Sequence, residues 1–432
     1  MSLLVNILYD IVCVLLSLFY IPYALFRKKL HRDLWRRLGY LPGTVVADRR
    51  KKIWIHSCSV GETKSIGTLF TLLKGAFPDR AFLISTITPT GNTVAREIAG
   101  EAATVFYLPI DLFVLTERVV RSIKPELFIL VETELWPNLL GSLRRSGSRI
   151  IAVNGRISKK SFAGYRLVRF LFKRIFSYVD TFCVQSATDK ERLKNLGVSE
   201  SSIMMTGNMK FDMTLSLLSE DKRRLFQTLF PPAANRHIIV AASTHFPEEG
   251  QIMKVYKKLQ EERPSLVLCI APRHPERAAD VARQGREMGL GPLFISRLKQ
   301  DPAYYTEESD GPRVYILDSV GELMYLYEMA SLVIIGGSFV PCGGHNPIEP
   351  GSLEKPVIVG PHMENFRDIF ELFMQCGGIR QAQTIADLEM EIRHILGNAL
   401  LKDSLGKNAS RVVRANRGAS YRIASFIGEK IG

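Results

Sequence analysis

The chain has 432 residues, of which 46% are hydrophobic and 23% charged, and its net charge is +14. This length predicts two domains, and the composition excludes both a disordered chain and a polytopic membrane protein. The six cysteines lie far apart and form no CxxC motif or Cys-His cluster, which argues against a zinc site or a disulfide scaffold and favours a reducing compartment.

The positive charge is concentrated in two segments. Residues 27–52 carry a net charge of +8 and residues 156–179 carry +7, so the rest of the chain is close to neutral. A generally basic protein is therefore excluded, and each segment needs its own explanation.

The N-terminal segment predicts a membrane anchor. Residues 1–26 contain one charge, Asp10, and approach the ~20 apolar residues that cross a bilayer. The basic residues follow the apolar run, which favours an uncleaved signal-anchor over a signal peptide and keeps the following domains in the cytoplasm. A helix lying in the membrane interface and a buried core helix are the alternatives.

Short runs rich in Val, Ile and Leu alternate with amphipathic segments from residue 52 onward, as in parallel sheets covered by helices on both faces. A polar stretch, 219–236, separates two such series and predicts a linker. Ligands of these folds bind at the carboxyl ends of strands, so the loops there are the candidate sites. The runs are KIWIHSCS, AFLISTIT, TVFYLP, ELFILVE, RIIAVNG and TFCVQS, then HIIVAAST, LVLCIAP, RVYILD, LVIIGGS and PVIVGP.

Three loops of the first series carry candidate chemistry. Glu62 follows the first run in HSCSVGET, where a capping box with Ser59 is the structural alternative to a functional carboxylate. Glu132 and Glu134 follow ELFILV in ETELWPN, and solvated acids beside a packed Trp are the alternative there. Lys210 in GNMKFD is a cation able to neutralise a phosphate, although a surface lysine is the commoner role.

The second series has three glycine- or proline-containing loops, APRHPER, SVGEL and GGHNPIEP. Glycines let backbone amides approach a phosphate, and Glu349 in a first helical turn can instead accept hydrogen bonds from a ribose. The pattern is neither GxGxxG nor a Walker loop, and no DxD or HExxH suggests a divalent metal. His56 in HSCSVGET, His274 in APRHPER and His345 in GGHNPIEP have no visible partner in the sequence, and packing or backbone hydrogen bonding is the expected role.

The second basic segment, residues 159–178, interleaves cations with aromatic residues. Such a segment can bind RNA or anionic lipid headgroups, and a solvated face with an apolar core side is the structural alternative. A protein tethered to a membrane meets the headgroups first, so we favour lipid over nucleic acid.

Taken together in order, HSCSVGET, TPTGN, ETELWPN, GNMKFD, APRHPER, SVGEL and GGHNPIEP resemble the Kdo transferases of lipopolysaccharide assembly. The resemblance runs nearly the whole length of the chain. These enzymes move 3-deoxy-D-manno-oct-2-ulosonic acid (Kdo) from CMP-Kdo to a lipid A precursor. The resemblance implies a GT-B fold, in which two Rossmann-like doubly wound α/β domains face a cleft.

The resemblance also implies roles for individual residues. Glu62 matches the general base, and Glu132 and Lys210 match positions that stabilise the transition state. The positions that match CMP-binding segments are Pro272, Arg273, Val320, Gly321, Glu322, Asn346, Pro347, Ile348 and Glu349. Pro341-Cys342 and Pro350-Gly351 depart from the pattern and bear on the geometry of the donor loop.

We therefore predict an inverting, metal-independent glycosyltransferase without cofactors, whose partners are CMP-Kdo, a lipid A precursor (lipid IVA) and anionic lipids of the inner membrane, with no nucleic acid. The alternative is another membrane-associated GT-B enzyme that uses a nucleotide sugar. The predicted organisation is an anchor with its basic flank over 1–40, an acceptor-binding domain over 41–218, a linker over 219–236 and a CMP-sugar-binding domain over 237–432. The catalytic domains are expected on the cytoplasmic side. The number of Kdo residues added, their linkages, the depth of the anchor and the oligomeric state are not predicted.

Overall fold

The structure, a computed structural model, describes residues 9–12, 14–15, 34–212, 219–230, 236–301 and 312–432. It divides into two units, Met1–Thr214 with Asn416–Gly432, and Leu215–Ala415. Both are parallel α/β units, as predicted.

The first unit contains a parallel sheet of seven strands in the order β3-β2-β1-β4-β5-β6-β7. Every residue of the central strands β1 and β4 is buried, because helices cover both faces and apolar side chains are needed on each. The strands are β1 Lys52–His56, β2 Ala81–Thr86, β3 Ala103–Tyr107, β4 Leu127–Val131, β5 Arg149–Gly155, β6 Thr181–Val184 and β7 Ile203–Met205.

The strand order reverses between β1 and β4, which pair directly, with Ile55 opposite Ile129. Such a reversal opens a crevice at the carboxyl ends of the two strands, where open α/β sheets bind ligands. The α-helices of this unit are Gly43–Ala47, Val60–Ser65, Gly67–Ala76, Pro89–Ala99, Phe113–Ile123, Pro137–Arg145, Lys159–Leu167, Arg169–Phe176, Ala187–Asn195 and Ala419–Ile431. Three-residue-per-turn helices cover Leu34–Leu38, Glu200–Ser202 and Met209–Asp212.

The second unit has a parallel sheet in the order β10-β11-β9-β8-β12-β13-β14, and its reversal lies between β8 and β12. The strands are β8 His237–Thr244, β9 Leu266–Pro272, β10 Gly291–Phe294, β11 Arg313–Ile316, β12 Leu332–Ile335, β13 Val357–Val359 and β14 Arg380–Gln381. The α-helices are Glu220–Leu229, Glu248–Glu262, Ala278–Glu287, Ile295–Gln300, Leu323–Met329, Ile348–Ser352, Arg367–Gln375, Ile385–Gly397 and Ala399–Asn416. Short 3-10 turns cover Pro275–Arg277 and Glu364–Phe366.

Two boundaries differ from the sequence prediction. The stretch predicted as a linker contains the Glu220–Leu229 helix, whose Phe226 is fully buried and stacks on Tyr325 at 5.2 Å within the second unit. The Ala419–Ile431 helix groups with the first unit, because its isoleucines belong to that unit's apolar core.

The predicted anchor, residues 1–26, lies for the most part outside the described residues and stays a prediction. Residues 9–12 and 14–15 are helical, and among the described residues no helix has the length and apolar character needed to cross a bilayer. Asp10 accepts hydrogen bonds from Phe113 N at 3.1 Å and from Asn138 Nδ2 at 2.6 Å. The one charge of this apolar segment is therefore satisfied by helix starts of the first unit.

Candidate functional site

The loop after β1 places Glu62 in the first turn of the Val60–Ser65 helix. The Ser59 hydroxyl accepts a hydrogen bond from Glu62 N at 3.2 Å and donates to Glu62 Oε1 at 2.8 Å, while Cys58 N donates to Oε2 at 2.8 Å. The side chain is thus held by its own helix start, as in the capping alternative. The residue retains 7% of its exposure, so it is nearly but not completely buried.

The environment of Glu62 favours the protonated form more than water does. Burial raises the pKa of Glu62, Glu134 adds to the increase, and the hydrogen bonds from Cys58 and Ser59 oppose it. A carboxylate with a raised pKa is a stronger base than one in water, which suits proton abstraction from a hydroxyl group.

The loop after β4 begins at Glu132, whose backbone has the left-handed φ of 61°. Glu132 N donates to Val153 O at 2.8 Å, and Thr133 Oγ1 donates to Arg156 O at 2.8 Å, so the loop is tied to the end of β5. Because β1 and β4 are neighbours at the reversal, Glu62 and Glu132 follow the two strands that border the same crevice.

Lys210 lies in the Met209–Asp212 turn, which contacts the Val60–Ser65 helix that carries Glu62. Asn154 Oδ1 accepts from Met209 N at 2.9 Å, and Asn208 Oδ1 accepts from Lys210 N at 2.9 Å. The structure therefore brings the three predicted catalytic residues to the carboxyl edge of one sheet.

Two buried donors at this edge have no partner among the described residues, Trp136 Nε1 and Asn154 Nδ2. Asn154 lies at the end of β5 and has a left-handed φ of 56°, a conformation that asparagine adopts more readily than most residues. Unsatisfied buried donors are rare, and at a strand end they fit a polar substrate. The sequence indicated both residues only as loop positions.

Cys58 and His56 lie beside Glu62, with Cys58 Sγ 3.2 Å from His56 Nε2. Burial, then the charges of Glu134 and Glu62, raise the pKa of the Cys58 thiol, so the thiolate needed for nucleophilic attack is disfavoured. His56 Nδ1 contacts Ser85 O at 3.0 Å, and burial lowers the pKa of His56 to about 3. Both residues pack beside Glu62, and His56 makes the backbone contact expected from the sequence.

In the second unit, Pro272 and Arg273 end β9 and lie beside β8, where Arg273 N donates to Thr244 O at 2.9 Å. The Arg273 side chain is exposed and its charge acts on both His245 and His345. This places Arg273 at the edge of the second reversal.

The SVGEL loop turns at Gly321, with φ of 83°, and leaves Val320 85% exposed. Glu322 is turned inward, where its Oε2 lies 2.5 Å from Lys299 Nζ and accepts from the Ser319 hydroxyl. Burial acts to raise the pKa of Glu322, but these two partners outweigh it and the pKa is lowered. The Glu322 side chain therefore holds the loop and leaves Val320 exposed at its turn.

The GGHNPIEP loop folds on itself. Asn346 Oδ1 accepts from Ile348 N at 3.0 Å and Asn346 Nδ2 donates to Glu349 Oε1 at 3.1 Å. The helix that follows, Ile348–Ser352, has only five residues, so its N-terminus attracts an anion only weakly. Pro347 and Ile348 are buried and shape the loop.

The loop after β8, which the sequence analysis did not single out, contributes His245 and Glu248. Glu248 is fully buried and accepts from His245 N at 2.7 Å and from Gly337 N at 2.6 Å, so one carboxylate joins the loops after β8 and β12. Burial raises the pKa of Glu248 to about 7. A signal existed in the sequence, since THFPEE directly follows a predicted strand.

Comparison with known proteins gives three results that bear on this arrangement. A family model described as 3-deoxy-D-manno-octulosonic-acid transferase (kdotransferase) matches residues 32–213. A 3-deoxy-D-manno-octulosonic acid transferase of Haemophilus influenzae is 30% identical over 92% of this chain and 91% of its own length. One from Rickettsia typhi is 30% identical over 84% of this chain and 76% of its own length.

Among solved structures, the UDP-GlcNAc 2-epimerase of Neisseria meningitidis, bound to UDP-GlcNAc, matches 87% of this chain and 99% of its own with a TM-score of 0.58. Its sequence identity is 11%, so the likeness concerns the fold alone. The two parallel α/β units and this likeness fit the predicted GT-B class.

Proposed function

The chain belongs to the 3-deoxy-D-manno-octulosonic acid (Kdo) transferase family, and from this premise we propose that it moves Kdo from CMP-Kdo to a hydroxyl group of the lipid A precursor lipid IVA in lipopolysaccharide biosynthesis. The transfer inverts the anomeric centre and needs no metal ion. The observation that carries the proposal within the structure is Glu62, a nearly buried carboxylate with a raised pKa at the reversal of the first sheet.

In the proposed reaction, Glu62 takes the proton of the acceptor hydroxyl as its oxygen attacks the anomeric carbon of Kdo. The bond from that carbon to the phosphate oxygen breaks, and its electron pair leaves with CMP. Positive charge develops on the sugar, and Glu132 offsets it, while the cation of Lys210 stabilises the negative charge that forms. CMP is already a stable anion, so a strong acid or a metal is not required to expel it.

The second unit is proposed to hold CMP. Arg273, the Val320-Gly321 backbone and Asn346 supply a cation, amide donors and a side-chain amide at one edge of its sheet. Glu322 and Glu349 act in this proposal by fixing their loops, since Lys299 and Asn346 already contact their carboxylates.

We further propose that the first unit meets the cytoplasmic face of the inner membrane. Leu167 and Phe170 are 87% and 82% exposed, where two short helices meet. Tyr165 and Phe172, with ring centroids 4.2 Å apart, form the inner side of this pair of helices and pack against the core. Six surrounding cations form no ion pair with any described residue: Lys159, Lys160, Arg166, Arg169, Lys173 and Arg174.

In the described part of the first basic segment, residues 34–52, three cations already have partners. Arg37 Nε donates to Leu108 O at 3.1 Å, Arg50 pairs with Asp48, and Lys51 Nζ lies 2.7 Å from Glu126 Oε1. Among the described residues, the helical pair 159–176 is therefore the better candidate for anionic headgroups, and each cation near the surface contributes about 1 kcal/mol. An anchor at residues 1–26 remains part of the proposal.

Transfer of radiolabelled Kdo from CMP-Kdo to lipid IVA tests the function, with the purified full-length chain in detergent and again after chelation of divalent metals. Product lipid is expected from the wild type in both conditions and not from Glu62→Ala. Glu97→Ala, an exposed carboxylate change on the Pro89–Ala99 helix, is the matched control. Absence of lipid product from the wild type, with consumption of another nucleotide sugar, would favour the alternative GT-B activity.

Mass spectrometry of the product lipid counts the Kdo residues added, and determination of the anomeric configuration decides between inversion and retention. A retained configuration would contradict the single displacement with Glu62 as base.

A further inference from the structure

The second reversal brings two imidazole rings into direct contact. His245 follows β8 and His345 lies in the GGHNPIEP loop after β12, and their Nε2 atoms are 2.9 Å apart. The ring planes differ by 9° and the centroids are 5.1 Å apart. The distance between the centroids is about the Nε2–Nε2 distance plus one ring radius on each side, so the two rings meet edge to edge.

This contact requires one proton between the two Nε2 atoms. Two nitrogens at this distance share one hydrogen bond, in which one Nε2–H donates and the other Nε2 accepts. The accepting ring, if neutral, must carry its proton on Nδ1, which makes that Nδ1–H a donor. Neither Nδ1 has a hydrogen-bond partner among the residues that the structure describes.

The backbone around the pair fits this contact. Gly337 has a φ of 65°, and a Cβ there would lie 3.0 Å from the His345 ring and 3.3 Å from the His245 ring. Glu248 binds the backbone N–H groups of both His245 and Gly337, so the two loops are held together from beneath. The space for two rings is therefore built by a glycine and a buried carboxylate.

The surroundings are cationic and partly dry. The His274 ring lies 6.0 Å from the His245 ring, at nearly a right angle, and Arg273 acts on both rings. Arg277 is neutralised by Glu249 at 2.7 Å. Burial, then Arg273, lowers the pKa of His345 to about 4. Burial, then His274, lowers the pKa of His245 against the opposing charge of Glu249, so that the pair is neutral near pH 7.

We propose that the His245–His345 pair binds the phosphate of the nucleotide donor, with the Nδ1–H of one ring as the hydrogen-bond donor and the second ring holding that tautomer in place. The inference rests on the proposed function, because it takes the phosphate as that of CMP-Kdo. It adds two residues to the donor site that the motif resemblance did not assign.

The proposed contact strengthens as the reaction proceeds. When the bond from the anomeric carbon to the phosphate oxygen breaks, the electron pair stays on that oxygen and the phosphate gains negative charge. The imidazole keeps its proton and donates a stronger hydrogen bond to the departing group.

Calorimetry of the full-length chain with CMP and with cytidine, which lacks the phosphate, tests the pair. We expect His345→Gln and His245→Gln each to weaken CMP binding about tenfold and leave cytidine binding unchanged. The double variant should lose little more than either single variant, because the rings act as one unit. His237→Gln, at the opposite end of β8, is the matched control.

An equal loss for CMP and cytidine would mean a structural role and overturn the inference, as would single losses that multiply in the double variant. If the variants bind CMP normally and only CMP-Kdo binding falls, the pair contacts the sugar carboxylate and the phosphate assignment is wrong.

Nitrogen-15 NMR of histidine-labelled wild type gives a readout that does not depend on a variant folding. CMP, but not cytidine, should shift the Nδ1 signals of the paired rings, and unchanged signals at saturation would refute the contact. If the wild type prefers UMP over CMP, the proposed function is wrong but the phosphate contact of the His245–His345 pair is not yet refuted. The same titration with UMP would then test that contact.

Discussion

The two sheets share a reversal of strand order that is followed by a glutamate, but the two glutamates differ in their exposure and in their hydrogen-bond partners. In each, the order reverses beside the first strand of the unit, β1 or β8, and the loop after that strand carries a glutamate at the start of a helix. Glu62 retains 7% exposure and binds its own helix start, whereas Glu248 is fully buried and binds backbone of the loop after β12. Topology thus determines where a site forms, and the remaining exposure of the carboxylate determines whether it can meet a substrate.

The largest expected difference between Glu62 and Glu248 is in the rate of Kdo transfer after each is changed to glutamine. Glu62→Gln keeps the shape and removes the base, so Kdo transfer should fall about 100- to 10,000-fold, the usual contribution of a general base. The matched change Glu248→Gln should cost much less at saturating CMP-Kdo, because Glu248 holds the donor loops through His245 N and Gly337 N and takes no proton from the acceptor. Initial rates at saturating CMP-Kdo measure both, and equal losses would remove the distinction.

The second effect separates them by stability. Glu248 has a folded pKa of about 7, raised by burial, so its contribution to stability is complete below the unfolded pKa near 4.5 and is lost as the pH rises through 7. The loss should reach roughly 3 kcal/mol. Chemical denaturation between pH 4.5 and 8 measures it, and Glu248→Gln should flatten the profile. A wild-type profile that does not fall over this range would contradict the assignment.

The third effect compares the outer surfaces of the two units. Leu167→Ser with Phe170→Ser should weaken binding to phosphatidylglycerol vesicles by at least about tenfold, because two apolar side chains no longer enter the bilayer. Leu400→Ser, at an 84% exposed residue of the second unit, is the control and should bind normally. Vesicle sedimentation measures both, and an equal loss in the control would argue against a specific membrane face.

The smallest effect concerns how the environment of Glu62 is set. Glu134 helps to raise the pKa of Glu62, so activity should fall as the pH drops through a value above the ordinary glutamate range. Glu134→Gln should move this acid limb of kcat/KM to lower pH, because one of the causes that raise the pKa of Glu62 is removed. A pH–rate profile tests the shift, with Glu97→Gln as a control, and movement to higher pH would refute the role of Glu134.

The strands were the most predictable part of the fold. RIIAVNG, HIIVAAST and LVLCIAP coincide with β5, β8 and β9, because strands buried on both faces need continuous apolar runs. β7, β10 and β14 were not predicted, since each has four residues or fewer and lacks such a run. The sequence predicted the Ala419–Ile431 helix as part of the C-terminal domain, 237–432, because that domain is adjacent in sequence. Sequence proximity does not show which apolar core an amphipathic helix completes.

The site was predictable one loop at a time. Glu62 and Glu132 follow strands that the sequence predicts, so their common edge could be foreseen from parallel topology, whereas Lys210 follows β7, which the sequence did not predict, and was indicated by its motif alone. The pairing of His245 with His345 could not, because it joins loops 100 residues apart in sequence and depends on β8 lying beside β12. The contact between Glu322 and Lys299 could not be predicted either, because the sequence of a loop does not show whether its carboxylate faces a ligand or a lysine.

The return of the Ala419–Ile431 helix to the first unit has a consequence for biosynthesis. Ile423, Ile427 and Ile431 fill the core of a unit whose sheet is complete by residue 205, and Asp212 caps the helix through Gly418 N and Ser420 N. During translation the second unit emerges as one continuous segment, while the first keeps an apolar face uncovered until residues 419–431 have left the ribosome. The nascent first unit therefore exposes apolar surface while the second unit is synthesised, and we expect chaperones to bind at that stage.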